Sequence, residues 1–201
     1  MDREKLSRMQ QQFAFLLEMD KEKMVTRQTP ISDNSRKEND AEHAWHMAIF
    51  TLFMSEYANE EIDKLRTLSL VLCHDLVEIY AGDTYAYDEE GKASQAAREA
   101  EAAERLVAML PPDQGEWLRG LWDEFEAYET PEAKFAHACD NIQPAMLNHA
   151  TNGVSWEEHD INLSQILNRN ARTGEGSSYM WEFSRNFFIE PHVQSGEINN
   201  K

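Results

Sequence analysis

Residues 68–88, LSLVLCHDLVEIYAGDTYAYD, decide how the chain is read. Leu65, Leu68, Leu72 and Leu76 recur at three- and four-residue steps, which predicts a helix over about 60–79 with an apolar row on one face. Ala81-Gly82-Asp83 ends it, and the segment to Gly91 reads as a loop. The same helical period extends in both directions. Upstream, Leu6, Met9, Phe13, Leu16 and Leu17 predict an amphipathic helix over about 4–24, followed by a polar connection from Thr26 to Lys37. Asn39 with Glu42 three residues on forms a capping box, and the helix it starts carries Trp45, Ile49, Leu52 and Phe53 toward a core. Downstream, helices are expected over 93–110 (stopped by Pro111-Pro112), 114–128, 131–149, 156–170 (capped by Ser155) and 179–189. Alternating β-patterns are essentially absent. The fold class is all-α, a compact bundle of seven or eight helices.

The 201 residues suit one domain over 1–201, and a hydrophobic fraction of 41% is enough for a core. Lys and Arg total 19 against 37 Asp and Glu, a net charge of −18. That balance repels phosphate backbones and anionic lipid, so nucleic acid and membrane are not expected partners. A small anionic substrate stays open, because a metal ion inverts the local field in a pocket. The two cysteines, Cys73 and Cys139, lack a CxxC spacing and read as small buried packing residues. With no 18-residue apolar run and no apolar core near residue 1, a cytoplasmic setting is expected.

The chemistry is sought among the seven histidines. His43 lies on the capped helix; His74-Asp75 follows LSLVLC, and Asp140 follows KFAHAC. A polar residue after such a run points inward, where imidazole or carboxylate is costly unless paired or bound to metal. A lone inward His is more often an ordinary core residue, and His159-Asp160 is a second such dipeptide, read as a helix start with Asp160 in the first turn. His74-Asp75 differs in its company. Two imidazoles and two carboxylates make a mixed N/O shell suited to one octahedral divalent ion: Mn, Co, Fe, Ni or Mg ahead of structural Zn. Glu78, on the helix face of Asp75, and Asp83 are candidate catalytic acids, and Arg27 and Arg36 candidate phosphate contacts. His46 is left without a role.

Three blocks, SRKENDAEHAWHMA (35–48), LVLCHDLVEIYAGDTYAYD (70–88) and TPEAKFAHACDNIQP (130–144), resemble the HD-domain metal-dependent phosphohydrolases, closest to the 5′-deoxynucleotidase-like branch. They run in that family's order, with 31 residues from His43 to His74 and 65 from Asp75 to Asp140. The resemblance spans about 27–150 and leaves 151–201 as a helical extension without a motif. It implies one divalent ion held by His43, His74, Asp75 and Asp140, with Glu78 activating a water and Asp83 near the scissile phosphate or sugar. It also implies substrate contacts from Arg36 and Arg27, and a homodimer. Gln28 stands where such enzymes carry a sugar-packing Trp, and Asn141 where many carry Lys. The expected activity is phosphomonoester hydrolysis of nucleoside 5′-monophosphates. A pyrophosphate or cyclic-phosphodiester hydrolase is the alternative, as is a non-catalytic helical module that binds metal and nucleotide.

Overall fold

The computed structural model describes residues 2–200; the ends of the 1–201 reading, residues 1 and 201, lie outside them. The helices are α1 (Arg3–Met19), α2 (Asp40–Met54), α3 (Lys64–Cys73), α4 (Glu78–Ala81), α5 (Glu89–Val107), α6 (Pro112–Ala127) and α7 (Pro131–Ala150). Five short ones follow: α8 (Val154–Glu158), α9 (Leu163–Arg169), α10 (Thr173–Gly176), α11 (Ser178–Ser184) and α12 (Glu190–Ser195). The architecture is the all-α bundle expected, with no helix long and apolar enough to cross a membrane among the described residues.

Local chemistry sets most boundaries. Asn39 and Glu42 make the reciprocal capping box that starts α2. Asp63 caps α3 through Leu65 N and Arg66 N, and Thr130 caps α7 with Pro131 in its first turn. The single helix expected over 60–79 is instead α3, a 3₁₀ turn at His74–Val77, and α4, which ends at Gly82 with φ +76°. Asp88 caps α5 four residues earlier than the Ala-rich run suggests. The helix expected over 156–170 is split: α9 has its own capping box, Asn162 with Gln165, and Asp160 sits in the preceding turn at φ +50° rather than in a first helical turn.

Two expectations are overturned. The polar connection contains a small antiparallel pair, β1 (Thr26–Pro30) and β2 (Lys37–Asn39), too short to show a two-residue period. The apolar residues expected to carry α2 into the core do not face it, and the rows of α1 and α3 are largely exposed as well. No residue of α1 is buried; Leu17 is 75% exposed, Phe53 73% and Trp45 64%, and Leu65, Leu72, Ile49 and Leu52 are exposed with them. The inward face of α2 is His43, Ala44, Met47 and Thr51. Periodicity identifies an apolar stripe but not what covers it.

The core centres on α7, eleven of whose 20 residues are buried. Phe135 and Cys139 meet Met47, Leu70, Val71 and Phe125 from α2, α3 and α6. Farther along, Ala145 packs with Trp156, Ile166, Ile189 and Ile198, so the C-terminal segment is laid against the same helix. Near the N-terminal part of α7 the approach is backbone to backbone: a Cβ on Gly176 would stand 2.1 Å from the Lys134 carbonyl oxygen. Gly176→Ala is expected to force α10 off α7 and lower stability by about 2 kcal/mol, read as a lower urea midpoint. An unchanged midpoint would mean that the contact is soft.

Candidate metal centre

His43 from α2, His74 and Asp75 from the 3₁₀ turn, and Asp140 from α7 converge at one point. His43 Nε2 lies 3.2 Å from Asp140 Oδ1 and 3.9 Å from Asp75 Oδ2. His74 Nε2 lies 3.0 Å from Asp75 Oδ1 and 3.9 Å from Asp140 Oδ1. Ligand atoms of His43, His74 and Asp75 all fall within 4.8 Å of one another.

The far side of each imidazole is already engaged. His74 Nδ1 donates to the Val71 carbonyl at 3.1 Å. His43 Nδ1 donates to Gln143 Oε1 at 3.0 Å, and the buried Gln143 amide is oriented by its Nε2 donating to Glu38 Oε2 and His46 Nδ1, both at 3.1 Å. Both Nε2 atoms are therefore the ones turned to the centre, and His74 Nε2 is buried without an aligned hydrogen bond. The site favours positive charge. Burial works against an imidazolium at His74, but Asp75 and Asp140 outweigh it and raise His74 to about 10. Burial would raise Asp75 and Asp140, yet the histidines beside both, Arg27 beside Asp75 and Arg169 beside Asp140 hold them well below the carboxylate range. Two imidazole nitrogens and two carboxylates, locked from behind, are a donor set that fits a divalent ion.

The centre forms the floor of a cavity of about 400 Å³, within the range of small-molecule sites. Arg27, Glu78 and Asp83 line it. Arg27 Nη1 donates to Asp75 Oδ2 at 2.8 Å and sits 3.4 Å from Asp40 Oδ1, compensating the acids behind the floor. Glu78 is buried, its Oε2 without a protein partner, and burial together with Asp75 and Asp40 raises its carboxyl well above the usual range. Asp83 is raised by burial, with Arg27 opposing. Arg36 departs from expectation: it is exposed, off the cavity wall, and forked onto the Glu42 carboxylate at 2.7 and 2.6 Å. Its place seven residues before His43 leads into the β2 turn and the start of α2, not the pocket.

Sequence reading missed three contributors. Gln143 and Glu38 orient His43; a Gln one turn past Asp140 on the same helix was the available signal. Arg169 of α9, whose Nη2 reaches Asp140 Oδ2 at 3.0 Å, gave none, because only the fold brings it 29 residues back to the centre.

Glu22 lies in the 3₁₀ turn before β1, behind the same acids. Burial, then Asp75 and Asp40, raise its carboxyl to about 7. An acid raised on folding contributes its stability in full below the unfolded value of about 4.3 and loses it as pH rises through 7. Glu22→Gln is therefore expected to gain on the wild type between about pH 5 and 8, reaching roughly 1–2 kcal/mol after allowance for solvent screening. Thermal melts of the metal-free proteins across that range test this, and parallel profiles would contradict it.

The sequence model of the HD domain matches residues 19–181. A solved structure of a predicted metal-dependent phosphohydrolase from Magnetospirillum magnetotacticum MS-1 is 40% identical, covers 96% of each chain and superposes with a TM-score of 0.91. The 5′-deoxynucleotidase HDDC2 of Homo sapiens is 31% identical over 108 residues, 54% of this chain and 52% of that protein. The 5′-deoxynucleotidase hdd1 of Schizosaccharomyces pombe is 30% identical over 112 residues, 54% of this chain and 55% of that one. The chain thus spans about half the length of the curated relatives it matches. The HD-domain match over residues 19–181 contains the helices that carry His43, His74, Asp75 and Asp140, and the chain belongs to the HD domain family.

Proposed function

We propose that the chain is a divalent-metal-dependent phosphohydrolase, and specifically a phosphomonoesterase acting on nucleoside 5′-monophosphates. The observation that carries this reading is the pair of Nε2 atoms, fixed from behind and aimed with Asp75 and Asp140 at one point on a cavity floor, with the buried carboxyl of Glu78, its Oε2 without a protein partner, beside it. The named activities of the similar proteins support it.

His43, His74, Asp75 and Asp140 would hold the ion. When bound, a divalent ion of this kind supplies Lewis acidity toward a phosphoryl oxygen and lowers the pKa of water. Glu78 accepts the proton of the attacking water, and a carboxyl raised above its ordinary range by burial and by Asp75 and Asp40 is a stronger base for it. Arg27 balances the acids and offsets charge developing on the phosphate, and Asp83 faces the substrate from the loop after α4. With Gln28 and Asn141 on the wall in place of the Trp and Lys of deoxynucleotidases, ribonucleotides enter as well as deoxyribonucleotides. We place the activity in one domain and in the cytoplasm, in keeping with two free cysteines. Elemental analysis, with phosphate release measured under Mn, Co, Fe, Ni, Mg and Zn in turn, tests the reading. About one ion per chain and release from 5′-monophosphates is expected. Release only from pyrophosphate or cyclic substrates would move the activity to another bond, and bound metal with no release would make the chain a binding module.

The exposed rows of α2 and α3, which pack on each other, support a homodimer through that face. Light scattering is expected to give a dimer, converted to monomer by Phe53→Glu with Leu65→Glu; a monomeric wild type would overturn this.

A further inference from the structure

The end of the cavity remote from the metal centre has its own chemistry. On α7 the cavity is lined by Asp140, Asn141, Pro144, Ala145 and Asn148, one stripe of the helix. At 1.5 Å per residue, Asn148 stands about 12 Å along the axis from Asp140. Asn148 is 5% exposed. Its Nδ2 donates to the Pro144 carbonyl at 3.0 Å, a group that can only accept, so the amide cannot be turned over. Asn148 Oδ1 is left as a buried acceptor without a protein donor.

Asn141 is locked in the same sense by a relay. Asn170 Nδ2 donates to the Ile166 carbonyl, Thr173 Oγ1 donates to Asn170 Oδ1, and Asn141 Nδ2 donates to Thr173 Oγ1. Asn141 Oδ1 is the second buried acceptor without a protein donor. A buried acceptor loses its water and gains nothing unless a donor arrives. Tyr85, Tyr87 and Trp156 pack together against Ala145 of the same helix stripe and line the cavity, with the Tyr85 and Tyr87 rings edge to face at 5.3 Å.

We propose that Asn148, with Tyr85, Tyr87 and Trp156, is a nucleobase subsite whose Oδ1 accepts an N–H from the heterocycle, and that Asn141 Oδ1 accepts from a sugar hydroxyl nearer the phosphate. This rests on the nucleotide reading above and assigns specificity to residues outside the metal centre. The order along α7 matches the ligand: phosphate at Asp140, sugar at Asn141, base at Asn148.

Binding measured by calorimetry tests it without requiring turnover. The wild type is expected to bind adenosine and ribose 5-phosphate. Asn148→Leu should weaken adenosine about tenfold and leave ribose 5-phosphate within about twofold, whereas Asn141→Leu should weaken both. On the wild type alone, N6,N6-dimethyladenosine should bind about tenfold more weakly than adenosine, which keeps the test intact if a variant fails to fold. Equal binding of the two nucleosides, or an equal loss on both ligands in Asn148→Leu, would overturn the subsite. Hydrolysis of nucleotides and ribose 5-phosphate at equal kcat/KM would overturn it too, while leaving the phosphohydrolase reading intact. Nucleoside binding by a protein that hydrolyses nothing would uphold the subsite and sink that reading.

Discussion

Asp75→Ala is expected to purify folded, to hold almost no metal where the wild type holds about one ion per chain, and to lose on the order of a thousandfold or more in phosphate release. Asp75 faces both His74 Nε2 and Arg27 Nη1, through different oxygens. Removing it takes away one donor and releases Arg27 toward the centre, so a cation is replaced by a competing positive charge. The fold should survive, because Asp75 is half-buried on a cavity floor whereas the core beneath it is Leu70, Val71 and Phe135. Asp75→Asn, which keeps the shape, separates charge from packing and should lose metal as well. Elemental analysis of both variants decides the matter; a variant that retains a full complement of metal would show that Asp75 is not a ligand.

Glu78→Gln should do the opposite to the metal and nearly the same to turnover. Its carboxyl is buried, lines the cavity and finds no protein partner for Oε2, so the amide fits the same space and leaves the ligands untouched. Turnover is expected to fall by about 10²–10⁴, the range associated with a positioned general base, with metal content unchanged. The pH profile gives a second readout. Burial and the neighbouring acids raise Glu78, so the acid limb of kcat/KM should lie above the ordinary carboxylate range and should vanish in the variant. An active Glu78→Gln enzyme with its acid limb intact would take the role away from Glu78.

Much of this was legible in the chain itself. The capping box at Asn39 and Glu42 and the Pro-led start of α7 are local signals, fully contained in a few residues, and they stand in the structure as expected. His74-Asp75 and Asp140 were legible because each follows an apolar run, and His43 because it stands upstream of them just after a helix-capping signal. What was hidden depends on long-range packing. The rows Leu65–Leu72 and Trp45–Phe53 carry helical period without stating what lies opposite, and they face outward. Arg169 and Gln143 reach the centre only after α7 and α9 have packed. Arg36 had the right spacing from His43 and the wrong direction, because the β1–β2 turn pairs it with Glu42.

The cavity draws on two parts of the chain. Its reactive floor comes from residues 27–140 with Arg169 held on Asp140, and Ser155, Trp156, Ile166 and Asn170 complete the lining from the C-terminal segment. Such a division lets selectivity drift while reactivity stays put: exchanges at Ser155, Trp156 and Ile166 reshape what is admitted and leave in place both the four residues at the floor and the Arg169 that holds Asp140. It also makes an inhibitor's reach matter. A compound that only grips the ion would act across many such enzymes, and one that extends to Trp156 would distinguish this chain from its neighbours.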